Sequence, residues 1–190
     1  MTEEEITKIL RDTGAILHGH FRLTSGRHSD TFLQCSQVMQ YPRHAEALCK
    51  EMARAFLNDG IELVAGPAMG GIILAYEVAR HLGCRAVFAE KDNGKMVFRR
   101  SFVLSPGERV LLVEDAISTG GSVSQVADTV KSAGALVVGV AALVDRTGGR
   151  VNFGVPFRPL LTMDLKSYEP EECPMCRAGE PLVLPKSLMG

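Results

Sequence analysis

The sequence lacks an excess of charge of either sign: 21 Lys and Arg stand against 22 Asp and Glu in 190 residues, a formal net charge of -1. No overall field gathers nucleic acid or an anionic membrane, so an anionic ligand must be held by local groups. Long apolar runs are missing too, and the longest, residues 135–144, is about half of a membrane span. The first residues, Met1-Thr2-Glu3-Glu4-Glu5, are acidic where a secretory or mitochondrial leader is basic. Five cysteines, Cys35, Cys49, Cys84, Cys173 and Cys176, are an odd number without a disulfide framework, which fits a reducing compartment. A soluble, cytoplasmic protein with no nucleic-acid partner and no membrane partner is expected. The chain also lacks the Gly-Lys-Ser/Thr of a triphosphate-binding loop and the Gly-x-Gly-x-x-Gly of a dinucleotide fold.

What is present is enough for one domain, 1–190, with a sizeable core, since 46% of the residues are hydrophobic. Thr2 with Glu5 makes a capping-box pattern, and Ile6, Ile9 and Leu10 follow at helical spacing as far as Gly14. Residues 43–58 carry Ala47, Leu48, Met52, Ala55 and Phe56 at the same period and end before Gly60, which predicts a second helix. Then a phrase repeats. Apolar runs at 61–66, 84–89, 109–113 and 135–144 read as strands, and 72–82 and 120–133 read as helices. Such alternation predicts an α/β fold with a central, mainly parallel sheet flanked by helices and a ligand site at the carboxyl ends of the strands. The tail, 167–190, holds four of the nine prolines and predicts an irregular flap laid on the body.

The most informative segment runs Val110-Leu111-Leu112-Val113-Glu114-Asp115-Ala116-Ile117-Ser118-Thr119-Gly120-Gly121-Ser122. A buried strand delivers two adjacent carboxylates, and a hydroxyl- and glycine-rich turn then opens a helix. The turn aims free backbone N–H groups and the positive end of a helix dipole at one point, a place for a phosphate monoester that needs no lysine. Gly120 and Gly121 are expected to let the backbone approach it. The carboxylates can accept hydrogen bonds from a vicinal diol or hold Mg²⁺ through water. An acidic pair before a helix N-terminus is often no more than a solvated strand end. The length of the segment favours a site for a ribose phosphate.

The segment resembles the phosphoribosyl-pyrophosphate motif of the type I phosphoribosyltransferases. Gly19-His20-Phe21-Arg22-Leu23-Thr24-Ser25-Gly26-Arg27-His28-Ser29 resembles the Ser-Gly-x-x-Ser signature of their orotate branch, although Thr24 stands where many members carry a basic residue. Ala65-Gly66-Pro67-Ala68-Met69-Gly70-Gly71 resembles the family's pyrophosphate loop, and residues 88–100, shorter than in many members, resemble its mobile catalytic loop. The resemblance implies a core over about 43–150 under a small hood built from about 14–40 and 151–190. It implies transfer of a phosphoribosyl group from 5-phosphoribosyl 1-pyrophosphate to orotate in pyrimidine synthesis. Lys91, Lys95, Glu114 and Asp115 would be catalytic. Lys91, Arg99, Arg100 and residues Glu114, Asp115, Ala116, Ile117, Ser118, Thr119, Gly120, Gly121 and Ser122 would hold the phosphoribosyl pyrophosphate, with Ala68, Met69, Gly70 and Gly71 at its diphosphate. Ser25, Gly26, Ser118 and Arg146 would bind orotate, the guanidinium forking its carboxylate. Mg²⁺ would be held mainly through substrate and water, with Asp115 as the candidate protein ligand. A homodimer with shared sites is also implied. A purine-type phosphoribosyltransferase and a non-catalytic sensor of phosphoribosyl pyrophosphate are the alternatives. Cys173 and Cys176 have a zinc-ligand spacing, but the tail offers no second pair, and reduced, metal-free thiols are expected.

Overall fold

The computed structural model describes residues 1–23 and 25–184; Thr24 and the last part of the predicted tail, 185–190, lie outside it. Helix α1 (Glu3–Asp12) starts where the capping box requires: the Glu5 amide donates to Thr2 Oγ1 at 3.2 Å and the Thr2 amide to Glu5 Oε2 at 2.8 Å. It buries Ile6 and Leu10. A hairpin follows, β1 (Ile16–Arg22) antiparallel to β2 (His28–Leu33), and then a 3₁₀ turn at Cys35–Gln40. Helix α2 (Pro42–Arg54) stops short of the predicted 58. The reason is Phe56, which leaves the helical path to lie against Gly139, where a β-carbon would come within 2.3 Å of its ring. Arg158 takes over at that end, stacking 4.5 Å from the Phe56 ring and donating to the Ala55 carbonyl.

The remaining elements are β3 (Leu63–Pro67), α3 (Gly70–Leu82), β4 (Arg85–Asp92), β5 (Lys95–Phe98), β6 (Arg109–Ile117), α4 (Gly121–Ser132), β7 (Leu136–Asp145), β8 (Phe157–Thr162) and the short α5 (Pro174–Arg177). Six strands form one sheet in the order β5-β4-β3-β6-β7-β8, parallel except for β5. Alternate residues serve two cores. Val64, Leu111, Val113, Ala141 and Leu143 face α1, α2 and α3, whereas Leu63, Ala65, Val110, Leu112, Val140 and Ala142 face α4. Because β3-α3-β4 winds toward one edge and β6-α4-β7 toward the other, the strand order reverses between β3 and β6. The crevice beyond their carboxyl ends is the place such sheets offer to a ligand.

Two features depart from expectation. Residues 157–162, assigned to the hood, are the sixth strand of the main sheet, with Val140 facing Phe157 and Val144 facing Leu161. The hood is the β1–β2 hairpin with the tail beyond Thr162. Apart from a 3₁₀ turn and the short α5, the described part of that tail is irregular, and it clasps the hairpin on both sides: the His28 and Tyr168 amides exchange 2.8 Å bonds, and the Arg22 amide donates to the Val183 carbonyl at 3.0 Å. Arg27 anchors it further by donating to Ser167 Oγ at 2.9 Å and to the Ser167 carbonyl at 2.7 Å. The second departure concerns Cys173 and Cys176, which meet His20 and His28 of the hairpin, so the second donor pair missing from the tail comes from the opposite end of the chain.

Candidate active site

Strand β6 carries Glu114 and Asp115 to its carboxyl end, where the apolar environment of the strand still surrounds them. Glu114 is buried, and burial first and the Asp115 charge second push its carboxyl up to about 8. Burial also raises Asp115, against a 2.7 Å hydrogen bond that its Oδ1 accepts from the Ala116 amide. The Asp115 amide donates to Glu114 Oε1 at 3.1 Å, so the pair is locked to its own backbone. A buried acid beside a half-buried one is electrostatically expensive to ionise, and a positively charged partner would relieve the pair.

The pyrophosphate-type loop comes to this pair from β3. Gly66 and Gly71 pack so closely that a β-carbon on Gly66 would lie 2.6 Å from the Gly71 carbonyl oxygen. A β-carbon on Gly70 would fall 2.8 Å from Asp115 Oδ2. The absence of side chains at these positions brings the start of α3 against the carboxylate. Ala68 completes the turn after β3, its amide donating to the Ala89 carbonyl at 2.7 Å, and Met69 is 82% exposed.

On the other side of the pair, Glu114, Ala116, Ile117, Ser118, Thr119, Gly120, Gly121 and Ser122 line a cavity of about 40 Å³ at the N-terminus of α4. Ser118, Thr119, Gly121 and Ser122 are exposed, and first-turn amides have no acceptor within a helix. Gly121 is open, with only Thr119 Oγ1, at 3.6 Å, near the place a β-carbon would take. Gly120 has a different reason for being glycine than the expected approach to phosphate. Its φ is +79°, and a β-carbon would lie 2.9 Å from Val151 and 3.0 Å from Phe153, so it seals the turn against the chain that follows β7.

Arg146 follows β7, its amide donating to the Ile117 carbonyl at 2.8 Å, which ties it to the end of β6. Its Nε is buried and has no hydrogen-bond partner among the described residues. Sequence reasoning missed what sets this loop. Asp145, 1% exposed, accepts from the Thr147 amide at 2.7 Å and the Gly149 amide at 2.8 Å, and Thr147 Oγ1 accepts from the Arg150 amide at 3.1 Å. A carboxylate at the buried end of an apolar strand was the available signal. The Cys35 thiol is also near, raised by burial first and by the Asp115 charge second, with Arg146 opposing; it is a neutral neighbour and no nucleophile.

The basic segment 88–100 is a hairpin, β4 turning into β5 through Asn93 and Gly94, both at positive φ. Arg99 pairs with Asp92 at 2.8 Å, and Arg100 pairs with Glu90 at 2.9 Å while lying 5.6 Å from the Phe88 ring. Lys91 and Lys95 are exposed and have no ion-pair partner among the described residues. Lys95 lines a second cavity, of about 440 Å³, with Gln125, Asp128 and Ser132 of α4; it lies along the helix and away from its N-terminus. Ser25 and Gly26 form the tip of the hood hairpin, where the Gly26 amide donates to the Leu23 carbonyl at 2.9 Å. The fold therefore gathers Glu114, Asp115, residues 68–71 and 118–122, and Arg146 at one end of the sheet, while Ser25, Gly26 and the loop lysines stand on separate hairpins.

Residues 36–153 match the phosphoribosyl transferase domain family. A protein of Desulforamulus reducens named orotate phosphoribosyltransferase is 55% identical over 187 residues, 98% of each chain. The chain belongs to the orotate phosphoribosyltransferase family. The fold agrees: the crystal structure of orotate phosphoribosyltransferase from Aeropyrum pernix superposes with a TM-score of 0.69 and 26% identity over 83% of this chain and 93% of that one. The architecture extends beyond one base, since adenine phosphoribosyltransferase from Rhodothermus marinus gives 0.66 at 23% identity over 83% and 99%. Within the family the expected α/β fold, with its mainly parallel sheet between helices, is what this chain adopts. Among the described residues no helix is long and apolar enough to cross a membrane.

Proposed function

We propose that this chain joins orotate to the phosphoribosyl group of 5-phosphoribosyl 1-pyrophosphate, giving orotidine 5'-phosphate and pyrophosphate. One observation carries the residue assignment: the Glu114–Asp115 pair lies between the loop at Gly70 and the turn at 118–122, and Arg146, whose buried Nε has no partner among the described residues, is tied by its amide to Ile117 at the end of the same strand. The turn at 118–122 binds the 5'-phosphate through its amides and hydroxyls. Glu114 and Asp115 accept hydrogen bonds from the ribose hydroxyls. Displacement at the anomeric carbon makes the ribose cationic as the diphosphate leaves, and the paired carboxylates hold that charge. Residues 68–71 present amides to the departing diphosphate, with Lys91 and Lys95 answering its negative charge. Arg146 forks the orotate carboxylate with Ser118 just past the end of the neighbouring strand, and Ser25 and Gly26 would reach the base from the tip of the hood hairpin. Before substrate arrives, Arg99 and Arg100 are occupied by Asp92 and Glu90, so their part in binding requires exchange of partners.

Mg²⁺ is the cation this reading requires. Two oxygen acids with raised pKa, and no basic partner of their own, are a donor set suited to a hard divalent ion. Asp115 would hold it through water, with most ligands from the substrate; bound there it offsets the charge of the diphosphate. A second copy of the chain is the partner. Met69 at the N-cap of α3 and Ile73 and Tyr76 within it are all exposed and supply an apolar stripe running from the pyrophosphate loop along the helix. We assign the protein to the cytoplasm, consistent with its five free cysteines.

The test is incubation with phosphoribosyl pyrophosphate and each of orotate, adenine, guanine and hypoxanthine, with and without Mg²⁺. Orotate absorbance should fall only when phosphoribosyl pyrophosphate and Mg²⁺ are both present. Consumption of a purine without orotate turnover would assign the site to the purine branch, and consumption of none with retained phosphoribosyl-pyrophosphate binding would make the chain a sensor.

A further inference from the structure

We infer that His20, His28, Cys173 and Cys176 form a structural zinc site that pins the hood hairpin to the C-terminal tail. His20 Nε2 and His28 Nδ1 are 3.0 Å apart. Cys173 Sγ lies 3.5 Å and Cys176 Sγ 3.6 Å from His20 Nε2, and Cys176 Sγ lies 3.2 Å from His28 Nδ1. All four donor atoms fall within 4.8 Å of one another. With Zn–N near 2.05 Å and Zn–S near 2.3 Å, tetrahedral angles require roughly 3.3 Å between nitrogens, 3.6 Å from nitrogen to sulfur and 3.8 Å between sulfurs. Four edges, at 3.0, 3.2, 3.5 and 3.6 Å, match those of such a tetrahedron drawn in slightly, and the other two are no longer than 4.8 Å.

The protons point the same way. His20 Nδ1 is 2.9 Å from the Glu180 carbonyl oxygen, which can only accept, so this nitrogen carries the hydrogen and Nε2 presents a lone pair to the cluster. One lone pair accepts one hydrogen, yet three donor atoms, a nitrogen and two sulfurs, converge on it. Hydrogen bonding among these groups cannot satisfy all of them, whereas a cation at the centre does. A ligating histidine whose other nitrogen is fixed by a backbone carbonyl is the arrangement that metal sites use to set ring orientation. His20 is 3% exposed, His28 5% and Cys173 0%, and Cys176 alone of the four is exposed, so most of the cluster is shut away from bulk water.

The donors also select the metal and its task. Two thiolates with two imidazoles suit zinc, and four protein ligands leave no open position, which marks a structural site. The connection it makes is long-range: the His20–Cys173 pair spans 153 residues. It joins β1 and β2 to the Cys-Pro-Met-Cys turn that opens α5, beside the Arg27–Glu169 ion pair.

The full chain, purified without chelator and under reducing conditions, should carry one zinc per chain by mass spectrometry of metals. After removal of that zinc, Co²⁺ titration should give the intense visible bands of tetrahedral cobalt and near-ultraviolet thiolate charge transfer. Cys176→Ser and His20→Gln should each lower the Co²⁺ affinity by at least about 100-fold, while Cys84→Ser, far from the cluster, should leave the spectrum unchanged. Circular dichroism identifies variants that have kept their fold, and wild-type metal content stands whether or not they do. Wild-type protein with no stoichiometric zinc and no tetrahedral Co²⁺ spectrum would overturn the proposal. So would a folded His20→Gln, Cys173→Ser double variant that retains its zinc.

Discussion

Glu114→Gln removes an ionisable group from an electrostatically costly pair and keeps the oxygen that accepts the Asp115 amide at 3.1 Å. Burial and the Asp115 charge raise the Glu114 carboxyl from 4.5 to about 8, so between those values the folded chain holds a proton that the unfolded chain has lost. Stability therefore falls as pH rises through that window. At about 1.4 kcal/mol per unit the ceiling is about 5 kcal/mol, and relaxation of the site leaves roughly 2–3 kcal/mol. The ligand-free variant should match the wild type in stability near pH 5 and exceed it at pH 8.5. For a chain of this size that is about 5–10 °C in the melting temperature. Thermal unfolding followed by circular dichroism at pH 5, 7 and 8.5 measures it. The same variant should lose turnover, because the charge that destabilises the empty site is the charge a cationic ribose needs. A stability gap that does not widen with pH, or a variant less stable at pH 8.5, would refute the electrostatic account of the pair.

Three other substitutions follow from the site. Arg146→Ala should raise the orotate KM by an amount corresponding to roughly 2–5 kcal/mol and leave phosphoribosyl-pyrophosphate affinity nearly intact, as calorimetry with each substrate would show. Gly70→Ala places a methyl 2.8 Å from Asp115 Oδ2, so steady-state kinetics should find kcat reduced roughly 10- to 100-fold; an unaltered kcat would mean Asp115 has room to move. Lys91→Ala and Asp115→Asn should each be impaired but regain about a quarter of parental activity when mixed, if random exchange of a dimer rebuilds one site in each heterodimer. Exchange without recovery would place the β4–β5 hairpin over the ligand of its own chain.

The interior of this fold was legible because burial on both faces leaves an unbroken apolar signal. Strand β3 is buried at all five positions and β7 at its last seven, and both stood out as runs. The edges were not. Strand β8 is half-exposed, carries Arg158 and has Pro159 within it, tolerable only on an edge and without an apolar run to announce it. In β1 the register shifts between His18 and Phe21, which breaks the alternation that marks a half-buried strand. The helix ending at Arg54 instead of 58 was decided by the space above Gly139, information that resides 85 residues away and in no local period.

The same distinction between local and distant information separates the two clusters of polar residues. The carboxylates and the turn at 118–122 lie on consecutive residues, so their spacing carried the chemistry, and only Asp145 and Thr147, which act by holding backbone amides, escaped it. The histidine–cysteine cluster has no such spacing. Its cysteines are one motif, and its histidines, eight residues apart, become a pair only through the hairpin in which Arg22 faces His28 and brings His28 one diagonal step from His20. Their ring centroids then lie 4.9 Å apart. A one-residue slip in that register would turn one ring to the opposite face and dissolve the cluster, so the donors report the pairing as much as the sequence. A ligand set divided between a hairpin and a tail is therefore fixed by tertiary structure, and its occupation by a metal would in turn hold the register that creates it.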